Sequence, residues 1–109
     1  MARKAVEVAA DKQADDIVML DIRGMSNFAD YFVICSGETE RQIETLRHEI
    51  DQALAKEGAN LRHLEGSSDS GWVLLDFGDL IVHIFAPPER RYYQLEKLWG
   101  EAVPLVRIQ

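Results

Sequence analysis

The stretch GWVLLDFGDLIVHIF, residues 71 to 85, constrains the fold more than any other part of the chain. Two short apolar runs flank Gly78-Asp79, and a glycine in the first of two turn positions suits a type II′ hairpin. A two-residue turn sets the pairing. Phe77 then opposes Leu80, Leu75 opposes Val82 and Val73 opposes Ile84 on one face. On the other, Asp76 opposes Ile81, Leu74 opposes His83 and Trp72 opposes Phe85. The first face is wholly aliphatic and aromatic, so it is expected to be core beneath helices. The second mixes two large aromatics and two aliphatics with one Asp and one His. Such a face is either covered by another element of the same chain or offered to a partner.

The other elements follow from periodicity. Val6, Ala9 and Ala10 lie on one helical face, which predicts a first helix within residues 2 to 14, ending near Asp15-Asp16. DIVMLDI (16 to 22) and DYFVICSG (30 to 37) are short, apolar and followed by glycine or Ser-Gly, as strands are. From Glu38 to Glu57, Ile43, Leu46, Ile50, Ala53 and Leu54 form one stripe of an amphipathic helix. Thr39 and Gln42 have capping-box spacing, and Gly58 stands where the helix end calls for positive φ. LRHLEG (61 to 66) reads as a short strand and SSDS (67 to 70) as a loop. After the hairpin, Pro87-Pro88 breaks the sheet and introduces a helix from about Glu89 to Trp99, ended by Gly100 and Pro104. The expected architecture is a mixed α/β (α+β) sheet of about five strands flanked by three helices. With 109 residues and no linker, repeat or charge block, residues 1–109 are expected to be one domain.

Charge and composition narrow the function. A net charge of −7 argues against gripping nucleic acid directly, which takes clustered Lys and Arg. It favours approach to a basic protein surface. No apolar run reaches the roughly 18–20 residues of a membrane span, and the first residues lack a signal core, so a cytoplasmic location is expected. The lone Cys35 permits no internal disulfide and fits a reducing compartment.

Signals for chemistry are missing. His48 falls on the polar side of the long helix and His63 on the short strand; His83 sits among apolar side chains with no second ligand at metal spacing. It is expected to be a satisfied, half-buried histidine. Cys35, inside an apolar strand, is expected to be an inert buried thiol. Asp76 and Asp79 are three apart, whereas two carboxylates sharing Mg²⁺ from one strand need a spacing of two, and Asp79 is accounted for by the turn. CSGETER has one glycine followed by two glutamates, which would repel a phosphate. No catalytic residue, metal site or cofactor is expected.

ERRYYQLEKLW, residues 89 to 99, places two Arg, two Tyr and a Trp together, the types enriched at interface hot spots. In one arrangement Tyr92, Leu95 and Trp99 anchor the helix to the sheet and Arg90 and Arg91 are solvated. In a compatible one, Tyr93 and an arginine border an open part of the sheet face.

These stretches resemble the ribosomal silencing factor (Iojap) family. The resemblance runs from ADYFVICSG with Arg41-Gln42, through GWVLLDFGDLIVHIF, to RRYYQLEKLWG, in order and nearly end to end. Ser36 departs from an expected Thr, and the chain lacks the long extensions of organellar relatives, which implies a compact bacterial form. The resemblance implies a nucleotidyltransferase-like fold without that activity. It implies binding to the large ribosomal subunit through ribosomal protein uL-fourteen, steric blocking of small-subunit joining, and only secondary rRNA contact. It also implies a tendency to form a homodimer when free. The contact set carried over by position is Trp72, Leu74, Asp76, His83 and Phe85 on the sheet, with Arg91, Tyr92, Tyr93, Leu95 and Trp99 on or beside the last helix. Two other readings compete: a Mg²⁺-dependent nucleotidyltransferase-type enzyme, and a plain homodimer that uses the same sheet face.

Overall fold

A computed structural model describes residues 1–109. The chain runs α1 (Ala2–Asp11), β1 (Asp15–Asp21), β2 (Tyr31–Ser36), α2 (Glu40–Lys56), β3 (His63–Glu65), β4 (Trp72–Asp76), β5 (Leu80–Phe85), α3 (Pro87–Tyr93), α4 (Leu95–Leu98) and β6 (Val103–Ile108). All six strands form one sheet in the order β3-β4-β5-β2-β1-β6, in which only β2 and β5 are parallel. The expected mixed sheet with helices is present, with one strand and one helix more than anticipated.

The hairpin has the register its turn demands. Trp72 pairs with Phe85, Val73 with Ile84, Leu74 with His83, Leu75 with Val82 and Asp76 with Ile81. Gly78 adopts φ +92°, and the Phe77 N–H donates to the Leu80 carbonyl at 2.9 Å across the turn. The Asp76 carboxylate accepts from the Gly78 N–H at 2.8 Å, while the Asp79 carbonyl accepts from the N–H groups of Asp30 and Tyr31. The turn is thereby tied to the start of β2.

Alternation then sorts the strands onto two layers. Val73, Leu75, Phe77, Leu80, Val82 and Ile84 join Ile17, Met19, Val33 and Cys35 on one face, sealed by Ala5 and Ala9 of α1 and by Ile43, Leu46, Ile50 and Leu54 of α2. Helix α2 is closed at both ends as read. The Thr39 hydroxyl accepts from the Gln42 N–H at 3.1 Å, and Gly58 follows the helix at φ +88°. Gln42 reaches back to the Glu38 N–H and also donates to the Gln13 carbonyl, which ties the start of α2 to the end of α1.

The opposite face holds Val18, Leu20, Ile22, Phe32, Ile34, Ile81 and Phe85 beneath Leu95. The single helix expected over 89–99 is two pieces, because Gln94 enters the left-handed region at φ +48° and breaks it. The break rotates the second piece, so Tyr92 does not share a stripe with Leu95 and Trp99. Tyr92 is 81% exposed, Leu95 is buried and Trp99 is half-buried. The arginines also differ from the solvated pair expected: Arg91 is exposed, but Arg90 is buried.

A sixth strand follows the last helix, and Pro104, read as one of that helix's end signals, lies within it. β6 pairs antiparallel with β1, with a register shift beside the Leu20–Pro104 pair. A proline without an N–H is tolerated at such an irregular edge position.

Candidate docking face

The candidate site lies where α3 and α4 stop short of covering the second sheet face. Four aromatic rings stack outward from the core there. Phe85, at the end of β5, is fully buried, and Trp72 of β4 stacks on it with ring centroids 4.9 Å apart. Tyr93 of α3 tilts over Trp72 at 4.5 Å, and Tyr92 meets Tyr93 edge-on at 5.0 Å. Each step away from the sheet is more exposed. A groove of about 310 Å³ runs beside this stack, lined by Trp72, Leu74 and Tyr93 with Glu65, Gly66 and Ser70.

His83 is the polar centre of the layer. Its Nδ1 accepts from the Trp72 indole N–H at 3.1 Å, so the ring proton resides on Nε2, which has no hydrogen-bond partner. Phe32 packs edge-on at 4.8 Å. The side chain is fully buried rather than half-buried, and only one of its nitrogens is satisfied, against the expectation of a satisfied histidine. Burial pushes its pKa down to about 3, because a charged imidazolium there would give up its water without gaining a counter-ion. The imidazole orients Trp72 and turns the indole N–H inward. What Trp72 presents outward is ring surface.

The ten side chains carried over from the sequence separate into three groups. Trp72, Leu74, Asp76, Arg91, Tyr92 and Tyr93 reach solvent wholly or in part. Phe85, His83 and Leu95 are buried in the chain itself and act as the bed on which the exposed residues rest. Trp99 lies on the far side, edge-on to Phe32 at 5.1 Å and to the exposed Phe28 at 6.0 Å. The structure therefore joins Trp72, Leu74, Tyr92 and Tyr93 into one patch and sets Trp99 apart from it. Asp76 also has a local task as acceptor for the turn.

Three contributing residues are not apparent in the sequence. Arg90, the only buried residue of α3, holds that helix down, and Glu65 with Ser70 supplies the polar wall of the groove. The signal for Arg90 lies in Asp16 and Ser36, far away in the chain. Cys35 is buried on the opposite layer, where desolvation raises its pKa to about 12, partly countered by the charge of Arg90. No group of three or more His, Cys, Asp or Glu side chains is placed to hold a metal ion, and no helix is long and apolar enough to cross a membrane.

The family model described as "Ribosomal silencing factor during starvation" matches residues 1–109. The chain is 43% identical over 105 residues to Ribosomal silencing factor RsfS of Halalkalibacterium halodurans, covering 96% of this chain and 89% of that protein. It is 30% identical over 97 residues to the mouse protein named Mitochondrial assembly of ribosomal large subunit protein 1, of which it spans 42%. A crystal structure of a Chromobacterium violaceum protein superposes with a TM-score of 0.86 at 32% identity, over 90% of this chain and 82% of that one. With residues 1–109 matched by the family model and 90% of the chain superposed on a solved relative, the chain belongs to the ribosomal silencing factor family.

Proposed function

We propose that this protein binds the large ribosomal subunit through ribosomal protein uL-fourteen and keeps the small subunit from joining, so that translation is repressed without any chemical step. The observation that carries this reading is the outward stack of Phe85, Trp72, Tyr93 and Tyr92 on a sheet face left open by its own short helices. Trp, Tyr and Arg are the residue types that dominate binding energy when a partner desolvates them. Trp72, Leu74, Tyr92 and Tyr93 are the anchors, Arg91 and Asp76 flank them, and Trp99 borders the second edge. Phe85, His83 and Leu95 support from beneath.

The size of the molecule suits a steric block. A standard interface takes about 600–1,000 Å² from each partner, roughly a tenth to a sixth of the 6105 Å² exposed here. The bound body would then stand at least 23 Å high, its thinnest dimension, where another subunit must pack. The net charge of −7 guides it toward a basic ribosomal protein and away from rRNA phosphates, which makes rRNA contact secondary.

Co-sedimentation with separated ribosomal subunits tests the reading, using the wild type beside Trp72→Ala and Tyr93→Ala with folding checked by circular dichroism. Binding to the large subunit alone, lost in the folded variants and competing with small-subunit joining, is the expected result. Failure of the wild type to bind either subunit would refute it, and an unchanged affinity in both variants would move the contact to another face.

A further inference from the structure

Helix α3 is held to the sheet by a charge. Of its seven residues only Arg90 is buried, whereas a helix of this kind ordinarily docks through an apolar stripe. The guanidinium reaches down between strand ends. Its Nη1 donates to the hydroxyl of Ser36, the last residue of β2, at 2.8 Å, and its Nη2 lies 3.3 Å from the carboxylate of Asp16 in β1. The Nε and Nη2 edge faces Glu96 of α4. One planar group thus links β1, β2, α3 and α4.

The receiving side is itself prepared. Asp16 sits within the irregular stretch of β1 between Asp15 and Val18, in the left-handed region at φ +47°, a conformation uncommon for a non-glycine residue. Its second oxygen is engaged by Arg107 of β6 at 2.9 Å. Asp16 and Glu96 each keep part of their surface in water, so the network is buried at the arginine and wet at its carboxylates. A guanidinium donates in fixed directions within one plane, so the hydrogen bonds from Nε to Glu96 and from Nη1 to Ser36 specify the rotation of α3, while Asp16 adds an ion-pair contact to Nη2, which has no hydrogen-bond partner.

We infer that Arg90 is a positioning residue for the docking face: acting through α3, it sets Tyr93 over Trp72 and so assembles the aromatic patch without touching the partner itself. This rests on the docking reading above. It explains how two short helices with little apolar cover keep Tyr93 within 4.5 Å of Trp72. It also assigns a directional task to a charge that an apolar residue would match for stability alone.

The test uses the full chain as Arg90→Met, which keeps the unbranched apolar stem of the side chain and removes its donors, and as Arg90→Lys, which keeps the charge but not the fork. The readouts are the ring-to-ring nuclear Overhauser contact between Trp72 and Tyr93, and affinity for isolated large subunits. Arg90→Met is expected to remain folded, lose the contact and bind about tenfold or more weakly, the scale of losing one anchor. Arg90→Lys is expected to restore neither in full. If Arg90→Met keeps both contact and affinity, or loses one and not the other, positioning by Arg90 is refuted. If Arg90→Met does not fold, Arg90→Lys carries the test, and full contact with full affinity there overturns the need for the fork. If the wild type does not bind the large subunit, the docking reading fails, while the Trp72–Tyr93 contact still decides whether Arg90 positions α3.

Discussion

Acid should destabilise this protein through His83. The imidazole is buried with one nitrogen accepting from Trp72 and no carboxylate in its shell, and its folded pKa falls from 6.5 to about 3. Between those values the unfolded chain takes a proton that the folded chain refuses, so acidification favours unfolding. The stability that depends on neutral His83 is complete above about pH 6.5 and is lost at about 1.4 kcal/mol per pH unit as pH falls toward 3. From pH 7 to pH 5 the loss is about 2 kcal/mol. With a urea m-value in the usual range for a small domain, that is a midpoint lower by about 1 M. The assay is urea denaturation of the wild type and of His83→Leu at pH 7, 6 and 5. Carboxylates and the exposed His48 and His63 are common to both proteins, so the difference between them isolates the one imidazole. The gap between the two midpoints should close, or reverse, by about that amount on acidification. Midpoints that move in parallel would show that His83 is protonated in the folded state and would refute the reasoning.

Three further outcomes are expected. Trp72→Phe keeps most of the ring stack but strips His83 of its remaining partner, at a cost of about 1–3 kcal/mol; in a His83→Leu background the same change should cost about 1–2 kcal/mol less, as a double-mutant cycle by urea denaturation will show. Cys35, with its thiol pushed up to about 12 by burial, should not react with an aromatic disulfide reagent in native buffer at pH 8, and should react stoichiometrically in denaturant. Gln94→Gly should raise stability by about 0.5–1 kcal/mol, measured by urea denaturation, because the residue holds φ +48° between α3 and α4 and a side chain is strained there.

The hairpin and the long helix are legible because their determinants are local. Gly78-Asp79 specifies a turn, the turn specifies the register, and alternation assigns each side chain of residues 72 to 85 to a layer without reference to any other element. Thr39 and Gly58 mark the ends of α2 in the same way. β6 is illegible for the converse reason. Its only neighbour is β1, some eighty residues earlier, and Pro104 within a stretch of mostly exposed side chains removes the usual strand signal. Gln94 hides its left-handed turn, because nothing in YYQLEK resembles the glycine that ordinarily marks one. Arg90 looks solvated in ERRYYQ since Asp16 and Ser36, which receive it, approach only once the sheet is formed. The candidate contacts were therefore readable as a region, while the division between exposed Tyr92 and buried Leu95 depends on the break at Gln94.

The unequal covering of the two sheet faces is itself the strongest link between fold and function. On one side α1 and α2, ten and seventeen residues long, seal the inward residues of the hairpin almost completely. On the other, helices of seven and four residues face the same six-stranded sheet and cannot span it. They shield Ile81, His83 and Phe85 and leave Trp72 and Leu74 at the margin. Closing that margin with a longer apolar helix would add stability, since each aromatic or aliphatic side chain taken from half to full burial gains on the order of 1 kcal/mol. The chain instead turns at Gln94 and projects Tyr92 and Tyr93 over the gap, accepting backbone strain to do so. A half-built layer that ends in tyrosines is costly as a core, and it supports the proposed docking role because a partner's surface can complete it.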